Sequence, residues 1–216
     1  MEKALKTGES NACMKRIVAA PTAGSCGVVP AVFLTLEEEK HFSEEKMVEA
    51  LYVAAGIGGV IANRAFLAGA AGGCQAEIGS ASAMAAGGVA YLMGGDAVQI
   101  SHAAALALKN LLGLACDPVA GLVEVPCVKR NVMGAVNAMT SSDMVMAGIT
   151  SKIPPDEVID AMRAIGRSMS EDIRETGKGG LAGLRPEWQS GNEWLGHYNR
   201  SFTYRRAADL WCFLRV

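Results

Sequence analysis

Gly72-Gly73-Cys74-Gln75-Ala76-Glu77 begins the segment around which the rest of the chain is organised. The segment closes on two further cysteines, in Cys116-Asp117-Pro118-Val119-Ala120-Gly121-Leu122-Val123-Glu124-Val125-Pro126-Cys127. All three cysteines stand beside glycines, prolines and carboxylates rather than in an apolar stripe. The sequence around them is rich in alanine and glycine, whose small side chains let helices approach closely. The pattern therefore predicts helical packing around three cysteines that are available for chemistry.

Apolar residues recur at helical spacing along most of the chain. The pattern predicts helices over residues 28–40, from residue 44 onward, and over residues 78–93, 96–113, 131–149 and 155–175. Residues 1–10 carry no clear period, and Gly56, Gly58 and Gly59 indicate either close packing or a break near Asn63. The alternation of strands and helices that is typical of an α/β fold is not visible. We therefore predict an all-α fold, a compact multi-helix domain with Gly/Pro-rich loops that carry the cysteines.

The end of the chain differs in composition from the rest. The tail, residues 184–216, holds all three tryptophans, and its arginines outnumber its acidic residues. It does not share the Ala/Gly-rich texture of the preceding sequence. We therefore predict one domain over residues 1–183 and an atypical tail over residues 184–216. His197 and Cys212 lie in this tail, and we assign neither of them to a site.

Composition argues against several classes of function. The chain has 216 residues, of which 50% are hydrophobic and 19% charged, so it can fold around a sizeable core. Its net charge of −2 argues against a nucleic-acid or anionic-membrane surface. The most apolar window, residues 51–73, contains Asn63 and Arg64, so a membrane-spanning helix is not expected. Six scattered cysteines and no apolar N-terminal signal indicate reduced thiols in a cytoplasmic protein.

The spacing of Cys74, Cys116 and Cys127 leaves two interpretations open. Zinc sites usually bring their ligands as close pairs such as C-x2-C, and such pairs are absent from this sequence. Iron–sulfur clusters also take thiolate ligands, and these can be widely spaced. The alternative is three structural cysteines, because unligated cysteine is often buried. Cys26 adds a fourth thiol, which we interpret as part of a loop rather than as a ligand.

Small residues also fill the loop Pro21-Thr22-Ala23-Gly24-Ser25-Cys26-Gly27. The helix predicted after this loop contains Pro30 in its first turn, which is a favourable position for proline. The N–H groups of the loop would then lie at a helix N-terminus, a natural seat for a carboxylate or phosphate. Thr22, Gly24 and Ser25 are therefore candidates for gripping a substrate carboxylate. An ordinary helix-capping loop is the alternative.

Three motifs, in order along the chain, resemble those of one family. They are Pro21-Thr22-Ala23-Gly24-Ser25-Cys26-Gly27-Val28-Val29-Pro30, Gly73-Cys74-Gln75-Ala76-Glu77-Ile78-Gly79-Ser80-Ala81, and the stretch from Cys116 through Cys127-Val128-Lys129-Arg130-Asn131. They look like the motifs of the iron–sulfur-dependent L-serine dehydratases (L-serine ammonia-lyases), in the α chain or α domain. The resemblance covers about residues 11–183.

The resemblance implies an all-α catalytic domain with a [4Fe–4S] cluster held by Cys74, Cys116 and Cys127. The fourth iron would be open to L-serine, and elimination of water would give pyruvate and ammonia without pyridoxal phosphate. A Lewis-acidic iron makes chemical sense for this reaction, because the hydroxyl of serine is a poor leaving group. The family's activity belongs to amino-acid degradation and gluconeogenesis in the cytoplasm.

Further polar residues lie in or near these motifs. We interpret Gln75 and Glu77 as supporting the cysteine ligands from behind, or else as residues of a helix first turn. Asn63 and Asn131 are candidates for orienting the substrate, and Lys129, together with its neighbour Arg130, is a candidate for facing an anionic substrate or the negative charge of the cluster. The alternative interpretation makes the two asparagines helix caps and places Lys129 in a solvated basic turn.

Relative to the family, the chain is expected to be truncated at the N-terminus and to end in an atypical tail. The family also has a β chain or β domain with a serine/histidine motif that this sequence lacks. We therefore expect a β partner and an oligomer, and no nucleic-acid or membrane partner. A cysteine desulfidase or related lyase on the same domain is one rival, and a helical protein without a cluster, or with structural zinc, is another. We assign no general base, since His102 is interpreted as a surface or capping histidine.

Overall fold

Helix α5 (Ser80–Leu92), built almost entirely from small residues, lies at the centre of the fold. The computed structural model describes residues 1–119 and 126–184, and every residue of α5 except Tyr91 is buried within this part of the chain. Helices that precede and follow α5 pack directly on it. Gly88 shows how close they come, because a Cβ atom there would lie 2.3 Å from the ring of Phe33. The alanine- and glycine-rich sequence thus builds its core by close approach of helix backbones.

The described residues form eight α-helices and contain no β-strand. The other seven helices are α1 (Glu2–Ala12), α2 (Val29–Lys40), α3 (Glu44–Arg64), α4 (Gly69–Gly72), α6 (Ala97–Lys109), α7 (Cys127–Met146) and α8 (Pro155–Ser168). Short 3-10 turns cover Ala23–Ser25, Glu171–Ile173 and Gly180–Gly183, and a π-helical turn covers Gln75–Gly79. The predicted all-α fold is confirmed.

Helix starts follow the capping residues in the sequence. At the start of α3, Ser43 Oγ accepts the Lys46 N–H at 3.3 Å. At the start of α6, Asp96 and Gln99 form a reciprocal capping box in which each side chain accepts the other's backbone N–H, at 2.8 and 3.0 Å. These caps satisfy N–H groups that the first turn of a helix leaves without partners. Local sequence therefore locates both helix starts.

Helix α1 has no counterpart among the sequence-based predictions. It is mostly polar, and Ala4 and Gly8 are its buried residues. Gly8 lies against α7, where a Cβ atom would be 3.3 Å from the side chain of Val128. Two small buried residues do not produce a recognisable hydrophobic period, so packing on α7 stabilises a helix that its own pattern does not reveal.

Helix α3 runs without a break past its three glycines to Arg64. Gly58 faces α5, and a Cβ atom there would lie 2.8 Å from the sulfur of Met84. Gly56 and Gly59 face open space instead. Close packing, one of the two alternatives for this glycine-rich stretch, is therefore correct for Gly58.

Helices α7 and α8 differ from the predicted bounds. α7 begins at Cys127 rather than near residue 131, so this cysteine lies in its first turn. α8 ends at Ser168 rather than near residue 175, and the chain after it turns back toward Cys116. Arg64, at the end of α3, holds α8 in place through an ion pair of 2.7 Å with Asp160.

Residues 120–125 and 185–216 lie outside the described residues. The predicted tail falls almost entirely in the second of these ranges, together with its tryptophans, His197 and Cys212. The domain boundary near residue 183 therefore stays a prediction. No helix in the described part of the chain is long and apolar enough to cross a membrane.

Candidate active site

Cys74, Cys116 and Cys127 come together in one buried place, which we call the thiol site. The three residues are 1%, 2% and 7% exposed. Cys74 directly precedes the π-helical turn, Cys116 follows the end of α6, and Cys127 is the first residue of α7. Their thiols lie close enough to act electrostatically on one another. Three segments that are distant in sequence thus bring their cysteines into one buried region.

Burial raises the pKa of all three thiols. It raises the pKa of Cys74 to about 12 and that of Cys127 to about 11, and it shifts the pKa of Cys116 in the same direction. The carboxylates of Glu77 and Glu175 raise the pKa of Cys116 and Cys127 further. The thiols are therefore protonated at neutral pH, and a metal that binds them must displace their protons.

Gln75 ties the first two cysteine segments together. Its side chain is fully buried, and its Nε2 donates to the carbonyl oxygens of Gly72 and Met162 at 2.9 and 3.1 Å. Its Oε1 accepts the N–H of Gly113 at 2.9 Å. Gly113 lies in the turn that leads to Cys116, so this one amide links the π-helical turn, α8 and the loop of the second cysteine. These contacts place Gln75 between the segments of Cys74 and Cys116, and its role as a support for ligands stays a prediction.

Two positions at the thiol site, Gly69 and Gly73, require glycine for steric reasons. A Cβ atom on Gly69 would lie 2.8 Å from the sulfur of Cys116 and 3.1 Å from Oε2 of Glu77, so these two atoms are at most about 6 Å apart. Gly73, directly before Cys74, has a φ of +77°. This left-handed conformation is open to glycine but unfavourable for other residues. Larger residues at either position would displace the groups that form the site.

The chain after α8 supports Cys116 from the other side. The N–H of Cys116 donates to the carbonyl of Ile173 at 2.8 Å, and the N–H of Glu175 donates to the carbonyl of Cys116 at 2.7 Å. Glu175 has a φ of +64°, a strained value for a residue other than glycine. The sequence-based prediction places this stretch in a helix and assigns it no role. No local signal reveals it, because it reaches the site through pairing of segments far apart in the chain.

The loop of the first motif meets the thiol site at Glu77. Thr22 Oγ1 donates to Glu77 Oε1 at 2.7 Å and lies 3.1 Å from Ser25 Oγ. A Cβ atom on Gly24 would lie 2.8 Å from Glu77 Oε2, so the loop packs directly on this carboxyl group. Burial raises the pKa of Glu77, although the hydrogen bond from Thr22 opposes the shift. Three predicted substrate residues, Thr22, Gly24 and Ser25, are thus brought together around Glu77.

The backbone N–H groups of this loop are largely used within the protein. The N–H of Ser25 donates to Thr22 O, and the N–H of Cys26 donates to Ala23 O, at 3.3 and 3.2 Å. The N–H of Gly27 donates to a side-chain oxygen of α7 at 2.8 Å. An incoming carboxylate therefore finds hydroxyl groups here rather than the row of open N–H groups that the sequence suggests.

Asn131 holds the loop against α7. Its Oδ1 accepts the N–H of Gly27 at 2.8 Å, and its Nδ2 donates to the carbonyl oxygens of Gly24 and Cys127 at 2.8 and 2.9 Å. The residue is 1% exposed. Both donors of its amide are occupied by backbone, so Asn131 positions the loop, and its role as a substrate contact stays a prediction.

Replacing Asn131 by alanine is expected to lower the free energy of unfolding by about 2–4 kcal/mol, because it leaves buried backbone groups without partners. Equilibrium unfolding in urea measures this change. Asn110→Ala is the matched control: Asn110 is exposed and bonds Asn137 Oδ1 at 2.7 Å, so its loss should cost less than about 1 kcal/mol. Equal losses in the two variants would show that Asn131 does not hold the loop.

Arg130, rather than its neighbour Lys129, is the cation at the thiol site. Cys127, Arg130 and Asn131 share one face of α7, because residues three and four apart are neighbours on a helix. Arg130 acts electrostatically on Cys74 and Cys127. Lys129 is exposed and acts on Glu9 of α1. The spacing of three residues between Cys127 and Arg130 distinguishes Arg130 from Lys129, but only if the helix is known to begin at Cys127.

Asn63 is also exposed, in the last turn of α3. Its role as a substrate contact, like that of Lys129, stays a prediction.

Cys26 differs from the other buried cysteines in its hydrogen-bond partner. Its Sγ donates to the carbonyl of Thr7 in α1, at 3.6 Å, and burial raises its pKa to about 11. This contact agrees with the interpretation of Cys26 as part of a loop.

The donor set of the thiol site fits an iron–sulfur cluster. No group of three or more His, Cys, Asp or Glu side chains in residues 1–119 and 126–184 is arranged to hold a metal ion. A cluster is larger than one ion, and it spreads its thiolate ligands farther apart. Three thiols in one buried region, with a guanidinium beside them and a glycine, Gly69, directly against one sulfur, suit that larger group.

The family model described as serine dehydratase alpha chain matches residues 1–182. The chain belongs to the serine dehydratase alpha chain family. All three cysteines of the thiol site lie inside the matched region, and so does the loop of residues 21–27, which we call the Thr22 loop. The family match also includes residues 1–10, which precede the three motifs quoted above.

Curated relatives within the serine dehydratase alpha chain family are similar over the same region. The "Probable L-serine dehydratase, alpha chain" of Bacillus subtilis (strain 168) is 57% identical over 182 residues, which cover 84% of this chain and 61% of the relative. The protein with the same description from Latilactobacillus sakei is 53% identical, with 84% and 87% covered. The "L-serine dehydratase, alpha chain" of Peptoniphilus asaccharolyticus is 50% identical, with 86% and 63% covered. The chain thus spans about six tenths of two of these relatives and most of the third.

Proposed function

We propose that this chain is the catalytic α part of an L-serine ammonia-lyase, which eliminates water from L-serine and yields pyruvate and ammonia. The observation that carries the proposal is the meeting of three buried cysteine thiols in one region, with the Thr22 loop close by. Membership of the serine dehydratase alpha chain family supports the choice of substrate. The activity is that of a lyase in amino-acid degradation.

Cys74, Cys116 and Cys127 would hold a [4Fe–4S] cluster. When bound, the cluster supplies a Lewis acid at the iron that has no cysteine ligand, and this activates the hydroxyl of serine as a leaving group. Pyridoxal phosphate is not required for this chemistry. The burial of all three cysteines keeps the ligand sulfur atoms away from bulk water.

The residues of the Thr22 loop bind and orient the substrate. Thr22 Oγ1 donates its one proton to Glu77, so the Ser25 hydroxyl, 3.1 Å from Thr22 Oγ1, is the loop group whose O–H can turn to a serine carboxylate. Gly24 lets the loop backbone pack directly on the Glu77 carboxyl group, because a Cβ atom there would lie 2.8 Å from Oε2. Glu77 keeps the Thr22 hydroxyl in place through its 2.7 Å hydrogen bond. Asn131, behind the loop, fixes the distance between the loop and the thiol site.

A β partner, an oligomeric state and a cytoplasmic location complete the proposal. Names of the relatives contain the words "alpha chain", which supports a partner chain of another type. We propose that the base that removes the α-proton of serine comes from the β partner.

Anaerobic reconstitution of the full chain with iron and sulfide tests the proposal. We expect a brown visible absorption, and pyruvate from L-serine once a β chain is added. A wild-type chain that takes up no cluster would contradict the cluster, and a cluster-loaded complex that makes no pyruvate from L-serine would contradict the reaction. L-cysteine as a parallel substrate distinguishes the rival desulfidase, because that reaction releases sulfide.

Alanine at Cys74, Cys116 or Cys127 is expected to remove nearly all cluster absorption and activity, since each variant leaves two of the three thiolates. Cys13→Ala is the matched control, because Cys13 is exposed and lies outside the thiol site. Iron and sulfide content per chain is the measurement. Wild-type iron content in any of the three site variants would show that the ligand assignment is wrong.

A further inference from the structure

Arg130 contacts the protein on both sides of Cys116. Its Nη1 donates to the carbonyl of Ala115 at 2.6 Å, and its Nη2 lies 3.0 Å from Oδ1 of Asp117. The guanidinium is only 15% exposed and the carboxylate 6% exposed, so this ion pair is buried. A planar guanidinium with several donors can make such contacts at the same time, which a lysine ammonium does less well.

The same guanidinium also faces the other two cysteines. Burial raises the pKa of Cys74, and both the charge of Arg130 and a side-chain hydrogen bond from it act in the opposite direction. Its charge acts on Cys127 as well, from one turn along α7. Arg130 therefore contacts or adjoins every cysteine-bearing segment of the thiol site.

Asp117 fixes the orientation of Arg130. Its Oδ2 accepts the N–H of Leu181 at 2.9 Å, which ties it to the chain after α8. Its Oδ1 has no aligned hydrogen-bond partner in the described residues, so the pair with Arg130 is electrostatic in character. The guanidinium is thus fixed at the backbone on both sides of Cys116.

We propose that Arg130, held by Asp117 and the carbonyl of Ala115, is the electrostatic anchor of the bound cluster, where it hydrogen-bonds a ligand sulfur and offsets the negative charge of the thiolates. The inference rests on the proposed function in so far as a cluster binds at the thiol site. Net charge and hydrogen bonds to sulfur are the main protein influences on the reduction potential of such clusters. A positive charge beside the cluster makes its reduction easier. Arg130 is thus a positioning residue that retains the cluster, and it takes no part in proton transfer.

Arg130→Gln combined with Asp117→Asn tests this role. Arg130→Gln by itself would leave the Asp117 carboxylate buried without a partner, which is costly for folding. The double variant removes both charges of the pair and so avoids this cost. After anaerobic reconstitution we expect about tenfold faster loss of iron to a chelator. We also expect a more negative midpoint potential by electrochemical titration, because Arg130 acts on Cys74 and Cys127 more strongly than Asp117 does. Arg130→Lys keeps the charge but loses the planar fork, and we expect about threefold faster loss of iron. Arg167→Gln removes an exposed arginine from the last turn of α8, and its reconstituted cluster should match the wild type in both measurements.

The outcomes separate the inference from the proposed function. Wild-type potential and iron retention in the double variant would overturn the role of Arg130. If the double variant does not fold, as judged by circular dichroism, Arg130→Lys decides, and wild-type iron retention in that variant overturns the inference. A wild-type chain that binds no cluster contradicts the proposed function instead.

Discussion

Gly73→Ala is expected to lower the free energy of unfolding by about 3 kcal/mol or more and to prevent the chain from holding a cluster. The φ of +77° at this position is costly for any residue with a Cβ atom. The added Cβ would also lie 2.8 Å from the carbonyl oxygen of Leu114 and 2.6 Å from the sulfur of Met169. Met169 can move, but the carbonyl belongs to the backbone just before Cys116. The substitution therefore pushes apart the segments that carry the first two cysteines.

Gly94→Ala provides the matched control for this prediction. Gly94 has a φ of +85° and no atom within 4 Å of an added Cβ, so it reports the backbone strain without the clash. We expect a loss of about 1–2 kcal/mol in this variant and a normal cluster content. Equilibrium unfolding in urea, with iron analysis after reconstitution, compares the two. Equal losses would mean that the Leu114 backbone gives way easily and that the first two cysteine segments are not rigidly coupled.

Gln75→Leu is expected to cost about 3–5 kcal/mol, although leucine is apolar and similar in size. The substitution leaves the N–H of Gly113 and the carbonyl oxygens of Gly72 and Met162 buried without this partner. For a chain of this size, the cost corresponds to a fall in Tm of roughly 10 °C. Cluster content should fall as well, because the π-helical turn and the loop of Cys116 are no longer joined.

Gln99→Leu is the control for the same chemical change. Gln99 makes one side of the capping box of α6, near the surface, where water replaces the lost hydrogen bond. We expect a loss below about 1 kcal/mol and unchanged cluster content. Thermal unfolding and iron analysis of both variants measure the difference. A Gln75→Leu protein with wild-type stability and iron content would rule out the linking role of this residue.

Those parts of the fold that depend on residues close together in the sequence could be predicted. The starts of α3 and α6 follow from Ser43 and Asp96, because a capping side chain bonds the N–H of a residue three positions later. α1 could not be predicted in this way, since its stability comes from Ala4 and Gly8 against α7. The end of α8 was misplaced for a similar reason: residues beyond Ser168 find their partners at Cys116 rather than within a helix.

For the candidate site, the sequence identifies several of the residues that lie there, but it does not reveal what their side chains contact. Asn131 and Gln75 are predicted as polar residues near the motifs, and the structure shows that their amides are bonded to buried backbone. The sequence does not separate Arg130 from Lys129, because only a helix that begins at Cys127 places Arg130 on the face of this cysteine. Glu175 carried no signal, since nothing in its own neighbourhood marks it as close to Cys116.

By itself, the sequence determined that the chain is helical, that its core is made from small residues, and which three cysteines stand in motifs shared with a known family. These properties depend on local spacing and composition, which are readable without coordinates. Only the tertiary structure decided that Cys74, Cys116 and Cys127 share one buried region, and which charges face them. The physical reason is that the thiol site is assembled by contacts between distant segments, through Gln75, Asn131 and the chain after α8. Such contacts follow from packing of the whole domain, and no local pattern encodes them.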